Sequence, residues 1–183
     1  MVKFTSVFFV FATLALSVVA SPVEQPDVEK VKSDLHHLSL NVMSFNGMVA
    51  DIHPPLSVQQ AMAIRTNAVN LEREIAEITD DVKKVHHVSV SDGTDVMSAV
   101  EKFIPTIINA LMTLKAKKSA FLSIPIKGAI NIILPLFENL HARSTDLANA
   151  LIMAAPNSLK GQAMRDKETV DAAFKQVIDY YSH

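Results

Sequence analysis

Apolar side chains recur along this chain at alternating steps of three and four residues, the spacing that aligns them on one face of an α-helix. Five such stripes can be followed, and runs containing Pro, Gly, Ser or Asp separate them. No stretch of two-residue alternation is long enough to indicate a β-strand. The stripes predict helices over residues 27–50, 57–86, 94–118, 124–154 and 157–181.

The first two stripes are the most regular. Apolar positions between Val28 and Val49 define the first helix, and the DIHPP sequence that follows ends it. The second stripe ends at Val85, and its charged residues fall off the apolar face. Ser57 precedes this stripe and is a candidate N-cap, because a serine oxygen can accept a hydrogen bond from a free N–H of the first turn.

The third stripe follows a break with the sequence HHVSVSDGT, and we expect its capping residue within positions 91–94. The stripe ends in a lysine-rich segment, 115–118, whose positive charge suits the C-terminal end of a helix dipole. Pro105 lies near its middle. This proline leaves the carbonyl of Glu101 without its helical donor.

The stretch around which the rest of the chain is expected to be arranged runs from Ser123 to Pro156. It carries one stripe along its whole length and a second stripe in its first half, so two of its faces are apolar. A helix of this kind has to be covered on both sides, and we therefore expect it at the centre of a bundle. Ser123 followed by Pro125 marks its start, and Pro135 interrupts its interior.

The predicted fold is all-α: one bundle of five helices of about 20 to 30 residues, mostly antiparallel because the connections are short. Pro105 and Pro135 allow two interpretations of its interior. They can bend their helices around a filled core, or they can splay neighbouring helices and leave a central apolar cavity. The stripe pattern does not distinguish a packed bundle from a hollow one.

Residues 1–20 are predicted to be a secretory signal peptide. Lys3 gives a short basic start, an apolar run over 4–19 follows, and small residues up to Ala20 fit a cleavage site. The run is short for a membrane anchor, and no basic stop-transfer flank follows it. We therefore expect a secreted product whose mature chain, 21–183, is a single helical domain without a transmembrane segment.

The composition fits an exported, helix-rich protein. The absence of Cys excludes thiol catalysis, thiolate metal sites and the disulfide-framed lipid carriers, so the core alone has to hold the fold. Gly is scarce, which favours helices. The formal charge is −2, or −3 once Lys3 is removed with the signal peptide. This charge does not indicate binding to nucleic acid or to an anionic membrane surface.

Candidate catalytic and metal-binding groups are weak. His36-His37 and His86-His87 are adjacent pairs, and neighbouring helical positions point about 100° apart, so neither pair can chelate a metal from one face. Carboxylates such as Asp80 lie beside basic residues and are interpreted as exposed ion pairs. No nucleophile motif such as G-x-S-x-G is present. The sequence therefore indicates no enzyme, no cofactor and no metal site.

Several segments spread over nearly the whole mature chain are similar to those of one known family. The residues that carry the resemblance are Val28, Val31, Leu35, Phe45-Asn46-Gly47, Val100, Ile104-Pro105-Thr106-Ile107, Leu111, Lys117-Lys118, Phe121, Leu140, Ser144-Thr145, Leu147, Leu151, Ala155-Pro156 and Ala173-Phe174. On these residues the chain resembles the fungal hydrophobic surface-binding protein A family, also called the cell-wall galactomannoprotein family.

The resemblance implies a secreted or cell-wall-associated fungal protein with an all-helical bundle. Some members of the family adsorb to hydrophobic surfaces and recruit a secreted polyester-degrading esterase, and others enclose fatty acids in a central apolar tunnel. This chain lacks the Ser/Thr-rich tail and the anchor signal of wall-anchored members. Any association with the cell wall is therefore expected to be non-covalent.

We therefore hypothesise a secreted lipid-binding protein that encloses a long-chain fatty acid or a similar apolar ligand between its helices. The alternatives are a protein that adsorbs to hydrophobic surfaces and recruits an esterase, and a structural cell-wall antigen with a filled core. Ser144, Thr145 and Asn109 are candidates for contact with a carboxyl head group. The predicted ligand-binding residues are Phe45, Leu71, Ile75, Phe103, Ile107, Leu111, Ile133, Phe137, Leu140, Ser144 and Phe174.

Overall fold

The computed structural model describes residues 28–124 and 129–183, and of residues 129–132 it describes only the backbone. All regular structure in these ranges is helical. The predicted signal peptide and Pro125, at the predicted start of the fourth long helix, lie outside the described residues. The helices are α1 (Val28–Ala50), α2 (Val58–Lys84), α3 (Val90–Ala116), α4 (Lys118–Leu122), α5 (Ala129–Ala154) and α6 (Asn157–Ser182).

Serine caps define the starts of α2 and α3. The Ser57 hydroxyl accepts a hydrogen bond from the N–H of Gln60 at 3.2 Å, and the Gln60 side chain accepts one from the N–H of Ser57 at 3.1 Å. The predicted cap of α2 is therefore confirmed. α3 begins earlier than predicted, because Ser89 caps it by accepting from the N–H of Asp92 at 3.1 Å. The prediction of a cap within 91–94 is wrong.

The described part of the chain has six helices, whereas the sequence predicted five. The chain turns at Lys117, whose N–H bonds to the carbonyls of both Thr113 and Leu114 at 3.1 Å, and the short helix α4 follows. This turn buries Ala120 and Phe121 almost completely. Burial of these two side chains explains why the helix is interrupted at Lys117, where the sequence has neither Gly nor Pro.

The five long helices form a closed ring. Going around it, the neighbours are α1, α2, α5, α6 and α3, and α3 packs back against α1. The expectation that α5 lies at the centre of a bundle is wrong. Its two apolar faces are covered by its two ring neighbours, α2 and α6, so no central position is needed.

Two of the neighbouring pairs, α1/α2 and α5/α6, follow each other in the chain and run antiparallel, as predicted. α1 and α3 run parallel, since Lys32 near the start of α1 pairs with Asp95 near the start of α3. α3 and α6 are also parallel, since Leu114 and Tyr181 bond to each other near the ends of both helices. For these pairs the antiparallel prediction is wrong, because α3 packs against α1 and not against α2, the helix that precedes it in the chain.

Pro105 and Pro135 lie inside α3 and α5, and both are exposed. The carbonyl that loses its helical donor, that of Glu101 in the case of Pro105, therefore lies on the solvent side of its helix. Phe103 and Ile104, next to Pro105, are buried on the inner side. The two prolines therefore interrupt their helices from the solvent side, and this placement alone does not distinguish a filled core from a cavity.

Candidate ligand-binding site

The ring of helices encloses an apolar cavity that is partly open to solvent. The cavity has a volume of about 130 Å³, and the void together with its open mouth measures about 1080 Å³. An apolar cavity of about 150 Å³ in a protein core holds benzene. The cavity is therefore close to the size that holds a ring-sized group, and a long acyl chain would also occupy its open side.

All five long helices contribute side chains to the cavity wall. The wall is almost entirely hydrocarbon, as expected for the inner faces of amphipathic helices. Its apolar members repeat the stripes of the sequence, so the period of three and four residues carries the signal that finds them. Nine of the eleven predicted residues line the cavity: Phe45, Leu71, Ile75, Phe103, Ile107, Leu111, Leu140, Ser144 and Phe174.

Ile133 and Phe137, the other two predicted residues, do not line the cavity. Both are buried, and the Phe137 ring packs edge-on against Tyr181 with centroids 5.0 Å apart. Tyr181 also packs edge-on against Phe121, at 6.3 Å. These three aromatic rings fill the core beyond Leu140, so the stripe of α5 continues past the end of the cavity.

The three predicted head-group contacts fall in different places. Ser144 lines the cavity. Thr145 lies one position further along α5, and its hydroxyl donates a hydrogen bond to Asp171 at 3.1 Å. Asn109 is exposed on α3. A ligand in the cavity can contact only the residues of the cavity wall. Of the three predicted head-group contacts, Ser144 is therefore the one in a position to contact it.

The sequence analysis missed three charged residues in the wall: Asp166, Lys167 and Asp171, all on α6. The first half of α6 is polar, and no apolar stripe marks it. Their spacing in the sequence could nevertheless have identified them. Each lies three or four residues from Ala163, Val170 or Phe174, which are on the apolar face of α6.

Asp171 is the centre of a polar network between α5 and α6. One carboxylate oxygen lies 3.0 Å from Nε2 of His141 and accepts from Thr145, and the other accepts from Lys167 Nζ at 2.6 Å. Burial raises the pKa of the Asp171 carboxyl, but these hydrogen bonds outweigh burial, so its pKa lies below the usual value. The His141 ring stacks on Phe174, with centroids 5.2 Å apart.

Asp166 has the opposite environment. Its Oδ2 atom is buried and has no hydrogen-bond partner. Burial raises the pKa of this carboxyl, the nearby charge of Glu101 raises it further, and Arg165 opposes the shift. Glu101 is itself bonded to the side-chain amide of Gln162. The cavity wall therefore contains two different carboxylates: both oxygens of Asp171 accept hydrogen bonds, whereas one oxygen of Asp166 has no hydrogen-bond partner.

The histidine pairs His36-His37 and His86-His87 are exposed. Within residues 28–124 and 129–183, no group of three or more His, Asp or Glu side chains is arranged to hold a metal ion. No helix in the same ranges combines the length and the apolar character needed to cross a membrane.

The sequence matches the hydrophobic surface binding protein A family over residues 27–153. The chain belongs to this family. The match confirms the resemblance drawn from the sequence and covers α1 to α5. A comparison of this family member with curated proteins gives no match.

Solved structures share the fold of this hydrophobic surface binding protein A family member. It resembles the crystal structure of AFMP4P in complex with palmitic acid, with a TM-score of 0.79 and 24% identity over 85% of this chain and 99% of that one. It also resembles ligand binding domain 1 of Penicillium marneffei MP1 protein complexed with arachidonic acids, with a TM-score of 0.77 and 13% identity over 86% and 100%. Ligand binding domain 2 of MP1 gives 0.77 and 15% over 85% and 96%.

Proposed function

We propose that this protein binds a long-chain lipid, such as a fatty acid, in the cavity inside its ring of helices, and that it is a binding protein without catalytic activity. The observation that carries the proposal is the cavity itself, whose almost wholly apolar wall is built by all five long helices. Three solved structures with this fold hold palmitic or arachidonic acid, which supports the same class of ligand here.

The energetics of such a site are favourable without a charged clamp. Burying about 16 methylenes at roughly 0.8 kcal/mol each gives about 13 kcal/mol before the costs of association. After those costs, micromolar to nanomolar affinity is within reach. Met97 in the wall is unbranched and flexible, and it can change rotamer as a chain enters.

Native mass spectrometry of the purified protein tests the proposal directly. We expect a bound acyl lipid after mild purification, and we expect palmitate added to delipidated protein to displace a fluorescent apolar probe. A protein that carries no lipid, and from which added fatty acid displaces no probe, would contradict the proposed function.

A second function, adsorption to hydrophobic surfaces, is supported by large apolar side chains outside the core. Met43, Met62, Leu122 and Met153 are exposed to 55%, 64%, 56% and 80%. The family description points in the same direction. Adsorption to polystyrene beads at high salt tests this function, and a protein that stays in solution would exclude it. Recruitment of a secreted esterase is then tested by adding the enzyme to coated beads.

We further propose that the protein is secreted and is held at the cell wall, if at all, by non-covalent contacts. The signal-peptide pattern over residues 1–20 supports secretion. N-terminal sequencing of protein recovered from the culture medium tests it. A mature N-terminus at Ser21 is expected, and retention of the full chain inside the cell would contradict it.

A further inference from the structure

A second, smaller cavity lies at the end of the ring where α1 and α3 begin and α2 and α5 end. Its volume is about 30 Å³. A group of the size of water needs roughly 10–15 Å³, so about two such groups fit. Valines from α1, α2 and α3 and Ala154 of α5 line it, and none of its lining residues in the described part of the chain has a polar side chain. It can therefore take the methyl end of a lipid and not its head group.

Met97 and Leu151 line both this second cavity and the main cavity described above. The two cavities follow each other along the helices. On α1 the wall of the main cavity begins at Leu35, and the wall of the second cavity contains Val31, one turn earlier. On α5 the wall of the main cavity ends at Leu151, and the wall of the second cavity continues to Ala154. Two side chains therefore divide what is otherwise one apolar interior.

The length of the main cavity matches one acyl chain. Its wall on α1 runs from Leu35 to Phe45, which is about 15 Å at a rise of about 1.5 Å per residue. The hydrocarbon core of a bilayer is about 30 Å thick and holds two layers of acyl chains, so one layer takes about 15 Å. The step from Leu35 to Val31 adds about 6 Å, and the second cavity therefore lengthens the interior by one helical turn.

Met97 is the more deeply buried of the two dividing side chains. It is 5% exposed, whereas Leu151 is half-buried. A methionine side chain is unbranched and can change rotamer, but moving it costs the contacts that it makes in its present position. A chain that has reached Met97 therefore gains little from further methylenes, because displacing this side chain offsets the additional burial.

We infer that Met97, together with Leu151, sets the acyl-chain length that this protein binds most tightly, by separating the main cavity from a second cavity that could hold the methyl end of a longer chain. The inference rests on the proposed lipid-binding function and narrows its ligand class. Fatty acids whose chains end at Met97 use their whole length for binding, and longer ones have to displace it.

A series of saturated fatty acids tests the inference: laurate, myristate, palmitate and stearate differ by two methylenes at each step. Their affinities are measured by displacement of the neutral probe N-phenyl-1-naphthylamine from delipidated protein, below the critical micelle concentration and after the affinity of the probe itself has been determined for each variant. Each buried methylene is worth about fourfold in affinity. For the wild-type protein we expect the affinity to rise about tenfold per step from laurate and to level off before stearate.

Met97→Ala joins the two cavities, so stearate should bind about tenfold more tightly than it binds the wild type, while the affinity for laurate changes less than about twofold. Adding Ala154→Leu fills the second cavity and should restore the levelling-off. Met112→Ala is the matched control, because Met112 is a 49% exposed methionine on the same helix. Leu151→Ala opens the same division from α5 and should act like Met97→Ala. It serves as the test if circular dichroism shows that Met97→Ala does not fold.

The outcomes are distinct. An affinity that keeps rising to stearate in the wild type, a Met97→Ala profile that equals that of the wild type, or a gain for stearate that persists after Ala154→Leu overturns the role of Met97 and leaves lipid binding intact. Failure of all four fatty acids to displace the probe overturns lipid binding itself. A selective gain for stearate in Met97→Ala, absent from Met112→Ala and removed by Ala154→Leu, supports the inference.

Discussion

Tyr181 donates its phenolic hydroxyl to the backbone carbonyl of Leu114 at 2.7 Å, and this bond ties the last turn of α6 to the end of α3. Both residues are 2% exposed. Burial raises the pKa of the Tyr181 hydroxyl, with a further contribution from Tyr180, so it remains a donor at neutral pH. The bond helps to close the ring at the seam between two parallel helices.

Tyr181→Phe is expected to lower the free energy of unfolding by about 1 kcal/mol, because it removes a buried hydrogen bond and leaves the Leu114 carbonyl with only the bond from the N–H of Lys117. Urea unfolding followed by circular dichroism measures the change. Tyr180→Phe is the control: Tyr180 is 46% exposed, and the substitution keeps the ring that lies 4.7 Å from Lys118 Nζ. Equal losses in the two variants would show that the buried hydroxyl has no special role.

Asp171→Asn is expected to destabilise the protein at neutral pH and to lose this effect in acid. The Asp171 pKa is lower in the folded protein than in the unfolded chain. Its carboxylate therefore contributes stability that is fully present above the usual aspartate pKa of about 3.9 and is lost as pH falls through the folded value. Thermal unfolding of both proteins from pH 7 to pH 2.5 measures the difference. A constant difference over this range would contradict the assignment.

Asp166→Asn is expected to have the opposite effect. The Asp166 pKa is raised in the folded protein, so this group favours the folded state below the usual aspartate pKa, and its contribution is lost as pH rises through the folded value. The variant should therefore be more stable than the wild type at pH 7 and lose that advantage near pH 3. Thermal unfolding at the two pH values is sufficient. A variant that is less stable at pH 7 would show that the buried carboxylate has a partner in solution.

Ala110→Phe is expected to block lipid uptake, since Ala110 is buried in the cavity wall and a phenyl ring would occupy the enclosed space. Phe137→Leu is the comparison in the core outside the cavity. It should cost roughly 1–2 kcal/mol of stability and leave uptake unchanged. Probe displacement and urea unfolding are measured on both variants. Blocked uptake in Phe137→Leu, with normal uptake in Ala110→Phe, would place the ligand elsewhere.

Two helical glycines should respond oppositely to alanine. A Cβ at Gly93 would lie 2.8 Å from Cδ of Pro156 and 3.0 Å from a methyl carbon of Leu159, so Gly93→Ala forces α3 away from the start of α6 and should destabilise by about 1–3 kcal/mol. Gly47 on α1 is exposed with no such neighbour within 4 Å, and Gly47→Ala should stabilise by about 0.5–1 kcal/mol. Thermal unfolding separates the two.

The positions of the long helices could be predicted because each has to bury one apolar stripe, and the stripe is visible in the sequence. Their arrangement could not. The apolar stripes on α5 can be buried by helices that surround it in a bundle or by two neighbours in a ring, and the sequence does not distinguish these arrangements. The loop after α2 is short in both, so its length does not distinguish them either. The break at Lys117 was also missed, because burial of Phe121 rather than a helix-breaking residue produces it.

The same reasoning explains which parts of the candidate site were foreseen. Leu140 and Phe137 belong to one stripe, and only the tertiary structure shows that the cavity ends between them. Asp166 and Asp171 were missed because a carboxylate on a polar helix resembles an ordinary exposed residue. Their burial depends on α3 and α5, which pack against α6 from distant parts of the chain.

The order of the helices around the ring also determines the stage of synthesis at which the cavity can be complete. α6 is the helix that packs against both α3 and α5, and residues 28–154 leave the ribosome before it does. Until α6 docks, the cavity has no wall on that side, so it is complete only after the last helix has been synthesised. A single protease cut at the short Ala155-Pro156 connection would leave α6 held only by its non-covalent packing against α3 and α5.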